Sequence, residues 1–168
     1  MARSSTRVGL ATLLGQLTDL EGAPLFTAVY DRKPKRVPPS LFPACYVMIP
    51  EAENVRTGMR QKHDRFGCQL RVVDAGVPVD WPSSPAEGNV YFAPDTDPQV
   101  VFDGLIDQLV DGLVANQAFT QDQPDASRQV IQLGQKITTR TLEPQRDGET
   151  ILFGAIVEFE VSEQILGV

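Results

Sequence analysis

Apolar residues recur at helical spacing in two stretches of the chain and at alternate positions in others, and these stretches outline the expected fold. Leu10, Leu13, Leu14, Leu17 and Leu20 share one face of a first helix. Ser4, Ser5 and Thr6 are its N-cap candidates, and Glu21-Gly22 is its stop. A second helix is expected from Asp97-Pro98, an N-cap aspartate before a first-turn proline, to about Ala118. Its apolar stripe is broad, running through Val101-Phe102, Leu105-Ile106, Leu109-Val110 and Leu113-Val114.

Strand patterns fill much of the remainder. Leu25 to Tyr30 reads as a short strand, and Phe42 to Ile49 is apolar on both faces, as a central strand is. Pro50 is expected to end it, because proline cannot donate to the ladder. Arg65 to Asp74 alternates, with Phe66, Cys68, Leu70 and Val72 on one side and Arg65, Gln69 and Arg71 on the other. Glu51 to His63 has no apolar period and is expected to be a long mobile excursion joining these two strands into an extended hairpin. Gly76 to Thr96 holds Pro78, Pro82, Pro85, Pro94 and Trp81, and reads as a long loop. Val130 to Leu142 and Ile151 to Val161 are the longest strands, with Asp147-Gly148 in a connection longer than a minimal hairpin. Ile151, Phe153, Ala155, Val157, Phe159 and Val161 alternate without a break, and Glu158 and Glu160 take the opposite face. The expected class is α+β: a mainly antiparallel sheet of four to five strands, with an N-terminal helix and one long helix packed on it.

A chain of 168 residues and 18.4 kDa, 42% hydrophobic, fits a single domain spanning 1–168 that buries about 70% of its extended surface. The longest apolar runs, such as Ala44 to Ile49, are far shorter than the ~20 residues of a membrane helix. Arg3 and Arg7 ahead of Val8 to Leu20 resemble a signal peptide, but Gln16, Thr18 and Asp19 interrupt the apolar stretch and no small-residue cleavage site follows. The stretch is read as an amphipathic helix of an intracellular protein. Cys45 and Cys68 lie in strand-like runs and are expected as buried free thiols rather than a disulfide. CxxC and His-rich metal spacings are absent, so neither metal nor cofactor is expected.

The net charge of −7 is unevenly spread. Residues 1–72 carry eleven Lys/Arg against six Asp/Glu, and residues 73–168 carry four against sixteen. Candidate chemistry is sparse by comparison. His63 has no nucleophile or metal partner in the sequence and is expected to be a solvated loop residue. Ser83 and Ser84 lack the strand–turn–helix setting of a nucleophile elbow, and no GxGxxG or GxxxxGK[ST] occurs. Gly104 and Gly112 fall inside the second helix, where they are expected to permit close backbone packing. Asp103, Asp107 and Asp111 stack at i, i+4, i+8 on one helix face. That face is either simply solvated, a docking surface for a basic patch, or a divalent-metal site.

Arg32, Lys33, Lys35 and Arg36 form a basic cluster in a proline-stiffened loop. No aromatic residue interleaves it, and a non-specific polyanion binder should not carry so acidic a second half. Recognition between copies of the chain accounts for both halves, with a basic flank on one subunit meeting an acidic flank on the next. Such a heterologous contact makes rings when its rotation closes. The expected interface residues are therefore Arg32, Lys33, Lys35, Arg36, Asp103, Asp107 and Asp111.

A leading helix, an early strand pair with a long hairpin from Phe42 to Asp74, one long helix and a final antiparallel pair resemble the tail-terminator proteins of long-tailed bacteriophages. The resemblance covers most of the chain and rests on element order, size and character; Gly76 to Thr96 departs from it. It implies a non-enzymatic virion subunit, assembled in the host cytoplasm, that forms a hexameric ring at the head-proximal end of the tail. That ring caps the tail tube, stops its growth and offers a surface to the neck. The implied partners are further copies of the chain, tail-tube protein and a neck or head-completion protein, with no membrane and no specific nucleic acid. Neck and head-completion proteins are the close alternative. A small-molecule-binding module, which needs a concave apolar pocket, is a more distant one.

Overall fold

The computed structural model describes residues 2–56, 62–78, 98–122, 128–148 and 150–166. They form a single curled sheet, a half-barrel, with two α-helices against it. In chain order the elements are α1 (Ala2–Gln16), β1 (Ala28–Tyr30), β2 (Ala44–Arg56), β3 (Lys62–Pro78), α2 (Pro98–Ala115), β4 (Ala118–Asp122), β5 (Arg128–Thr141), β6 (Gln145–Asp147) and β7 (Thr150–Leu166). A 3-10 turn, Pro39–Leu41, lies between β1 and β2.

The seven-stranded sheet runs β1-β2-β3-β7-β5-β4, with β6 also on β7. This corrects the expected antiparallel sheet of four to five strands. It is larger, and it is mixed because β1 pairs with β2 in parallel. β3 occupies one edge of β7 along most of its length, so β5 and β6 share the other, one after the other. The parallel step at β1–β2 obliges the chain to travel back before β2 starts, and residues 31–43 make that return.

The core fills the concave face. Cys45 and Val47 from β2, Cys68, Leu70 and Val72 from β3, and Ala155, Val157, Phe159 and Val161 from β7 meet there. Leu10 and Leu14 of α1 and Phe102, Ile106, Leu109 and Leu113 of α2 close over them. The Phe102 and Phe153 rings lie 5.7 Å apart, centroid to centroid, tilted by 38°. Truncating a fully buried member such as Leu109 to alanine costs about 2–5 kcal/mol. The outer face is not wholly polar, since Ala44, Tyr46 and Ile156 are buried on it.

Several boundaries move. Pro50 does not end β2: the strand continues to Arg56 through a register shift between Met48 and Glu51, a bulge being where a sheet accepts proline. Most of Glu51–His63 is therefore strand, with residues 57–61 outside the described part. Residues 76–78 belong to β3, while 79–97, with Trp81, Ser83 and Ser84, are outside the described residues. α1 starts ahead of Ser4-Ser5-Thr6, which are helical rather than capping, and it ends at Gln16, leaving Leu20 in a turn. α2 stops at Ala115, and Ala118 opens β4 instead. β6 fills the supposed long connection: Asp147 pairs with Thr150, so the turn is a minimal one with Gly148 at φ +62°.

Candidate functional site

Phe102, Ile106, Leu109 and Leu113 face the sheet, so the 3.6-residue period turns Asp103, Asp107 and Asp111 to solvent. All three are exposed and have no cationic partner among the described residues. Gln99 donates from Nε2 to Asp103 Oδ1 at 3.0 Å. Val100 and Val114, 46% and 51% exposed, bracket the aspartates. The outward stripe is thus acidic along its middle and apolar at its ends, about 21 Å from Val100 to Val114 at 1.5 Å per residue. Among the described residues no three His, Cys, Asp or Glu side chains gather closely enough to hold a metal ion.

The basic cluster lies on the returning loop beyond β1, at the far end of the strand order from β4. Arg32, Lys33, Lys35 and Arg36 are exposed. Arg32 is engaged within its own loop, donating from Nε and Nη2 to the two Asp31 oxygens at 3.1 and 3.2 Å. Those hydrogen bonds hold the Asp31 carboxyl below its usual range, with Arg7 of α1 adding to the effect. Lys33, Lys35 and Arg36 have no anionic partner among the described residues. The two charged groups are not brought together within one subunit, because one belongs to a helix on the concave face and the other to an edge connection.

A trough of about 710 Å³ crosses the outer face of the sheet. Gly67 and Gly134 leave the β7 backbone bare on either side of Glu160, and a β-carbon at Gly134 would stand 3.1 Å from the Glu160 carbonyl oxygen. The register shifts in β2 and β5 both fall beside this trough. In the neighbouring row Gln69 donates from Nε2 to Glu158 Oε1 at 2.6 Å. Alternation in β7 put Glu158 and Glu160 on this face, but the two bulges that hollow it have no strong sequence signal.

One buried polar pair was not anticipated. Thr6 of α1 donates from Oγ1 to Glu163 Oε2 at 2.6 Å, and both residues are almost fully buried. The continuing alternation Phe159, Val161, Glu163 places that carboxylate on the core face, which is the signal that could have found it. Cys45 and Cys68 are free and buried, as expected, and burial pushes both thiols up, far from the reactive range. His63 lies in β3 rather than a loop, paired with Gln164. Compared with known proteins, the chain matches no family model and no curated sequence.

Proposed function

We propose that this chain is a structural assembly subunit, a tail terminator of a long-tailed bacteriophage. Copies join head-to-tail into a ring, a hexamer in the family it resembles, that caps the tail tube and offers the neck its docking surface. The observation that carries the reading is the separation of charge onto two outward surfaces. Asp103, Asp107 and Asp111 on the exposed face of α2, and Lys33, Lys35 and Arg36 on the exposed loop after β1, have no partner of opposite charge among the described residues. Charges of opposite sign on opposite flanks favour contact between the different flanks of two copies, which is the heterologous geometry that closes into rings. The helix–hairpin–helix–strand order also supports it, since the long β2–β3 hairpin precedes α2 and the last strand in chain order, β7, is long and antiparallel to its neighbours.

Electron microscopy tests the reading directly. The purified chain at high concentration, alone and with tail-tube protein, is expected to show rings of uniform diameter, bound to tube ends when tubes are supplied. Particles that stay monomeric, with tubes growing unchecked, would remove it.

A further inference from the structure

We propose that the open edge of β4 is the strand to which a second copy adds its β1 edge, so that the sheet continues from one subunit into the next. The inference rests on the assembly reading above and names the surface that does the joining. β1 and β4 terminate the strand order, and each has a strand neighbour on one side only among the described residues. Phase along β4 follows from the N–H of Leu133, which donates to the carbonyl of Gln117 at 2.7 Å. Antiparallel bonding alternates, so Phe119 bonds toward β5, while the N–H and C=O of Ala118 and Thr120 point to the open side. Both residues are exposed.

An open edge is a template for pairing, and proteins usually blunt it with charge, proline or a bulge. Ala118-Phe119-Thr120 has none of these, the charge of β4 being confined to its last residue, Asp122, and β4 keeps unbroken register with β5 over its five residues. Charge then selects the strand that fits. Only Asn116 and Gln117 separate α2 from β4, so the Asp103–Asp107–Asp111 stripe travels with this edge. Pairing β4 with another β4 would bring two acidic helices side by side. Pairing it with β1 brings Lys33, Lys35 and Arg36, which follow β1 directly, beside the acidic helix. β1 is three residues long, so the backbone contact is small and depends on the charges for its strength.

Thr120→Pro removes an outward N–H while leaving the ladder to β5 intact, and Thr120→Val keeps that N–H. In sedimentation at low salt, Thr120→Pro is expected to weaken association at least tenfold with an unchanged melting temperature, and Thr120→Val to associate like wild type. Asp107→Lys separates the two levels of the argument. If it blocks association and Thr120→Pro does not, the charge contact stands and edge pairing is overturned. A wild-type chain that stays monomeric throughout overturns both. Mixing Thr120→Cys with Tyr30→Cys under mild oxidation is expected to give the hybrid disulfide dimer. Self-dimers of Thr120→Cys without the hybrid would overturn the pairing in favour of β4 against β4. If Thr120→Pro fails to fold, amide exchange in the wild type decides: slowing at Thr120 on assembly supports the pairing, and an unchanged rate overturns it.

Discussion

Gly104 and Gly112 lie on the same helix, yet a β-carbon would meet very different surroundings at the two. Nothing lies within 4 Å of it at Gly104, whereas at Gly112 it would stand 2.9 Å from a terminal methyl of buried Leu17. The sequence-based expectation of close packing therefore holds at Gly112 and fails at Gly104. Gly104→Ala should stabilise the chain by about 1 kcal/mol in chemical denaturation, the helix-propensity difference alone. Gly112→Ala should lose that gain to repacking of Leu17, so the two variants should differ in sign or nearly so. Asp74 gives a second test. Its burial raises the carboxyl above the usual aspartate range, and a 2.8 Å hydrogen bond from the Ala75 amide partly opposes this. A carboxyl with a raised folded-state pKa binds its proton more tightly in the native chain, so stability falls as pH rises from the ordinary aspartate range through the folded value. Asp74→Asn keeps an acceptor for Ala75 and should raise the melting temperature at about pH 7, with the gain fading once Asp74 is protonated in both states. Thr6→Val removes a donor from buried Glu163 and should cost about 1–3 kcal/mol.

Elements with a long, unmixed period were legible. The alternation of β7 carries Phe153, Ala155, Val157, Phe159 and Val161 into the core as their spacing marks. Of the broad α2 stripe, Phe102, Ile106, Leu109 and Leu113 are buried, while Val101 and Val114 are exposed. What the sequence concealed were the places where one signal overrides another. Pro50 reads as a stop, but the bulge between Met48 and Glu51 accommodates it and β2 continues. The apolar spacing carries the expected helix to about Ala118 and marks no element over the rest of β4, although Asn116 and Gln117 already turn the chain away. β6 has three exposed residues and no apolar face to betray it. Of the proposed interface, the exposure of the three aspartates was readable from their place opposite the apolar stripe. The Asp31–Arg32 pair, which occupies one of the four cations, was not. The β5 bulge invites a mutation of its own. Gly134→Ala would press a β-carbon against the Glu160 backbone at 3.1 Å, and backbone inside a sheet yields little. A loss of about 1–3 kcal/mol is expected from such overpacking, measurable as an earlier urea midpoint.

At the scale of the whole molecule, the charge imbalance between the two halves of the chain becomes a division between surfaces. The basic loop follows one edge strand, and the acidic helix leads into the other. Complementary exposed charges give orientation and encounter rate more than affinity, so the free chain should associate weakly and more weakly still as salt rises. Asp107→Lys should block assembly while leaving the fold intact, since lysine is the better helix former and two like-charge neighbours are relieved. Adding Lys35→Asp should restore part of it if the contact is direct. Light scattering at low salt reads both, and normal assembly by Asp107→Lys would reduce the acidic stripe to a solvated face.

The position of β7 has a consequence for how the chain is made. It lies between β3 on one side and β5 with β6 on the other, yet it is translated after all of them. A ribosome therefore releases both flanks of the sheet before the strand that joins them. Until Thr150–Leu166 emerges, the apolar side of the β2–β3 hairpin has no strand beyond β3 to extend it, and pairing β3 with β7 closes a loop of some 80 residues. Such non-local pairing is slow, and exposed strand edges in the meantime invite association with other nascent chains. A chain stopped before Thr150 should be insoluble or unstructured, and the complete chain should gain protease resistance in a single late step rather than progressively.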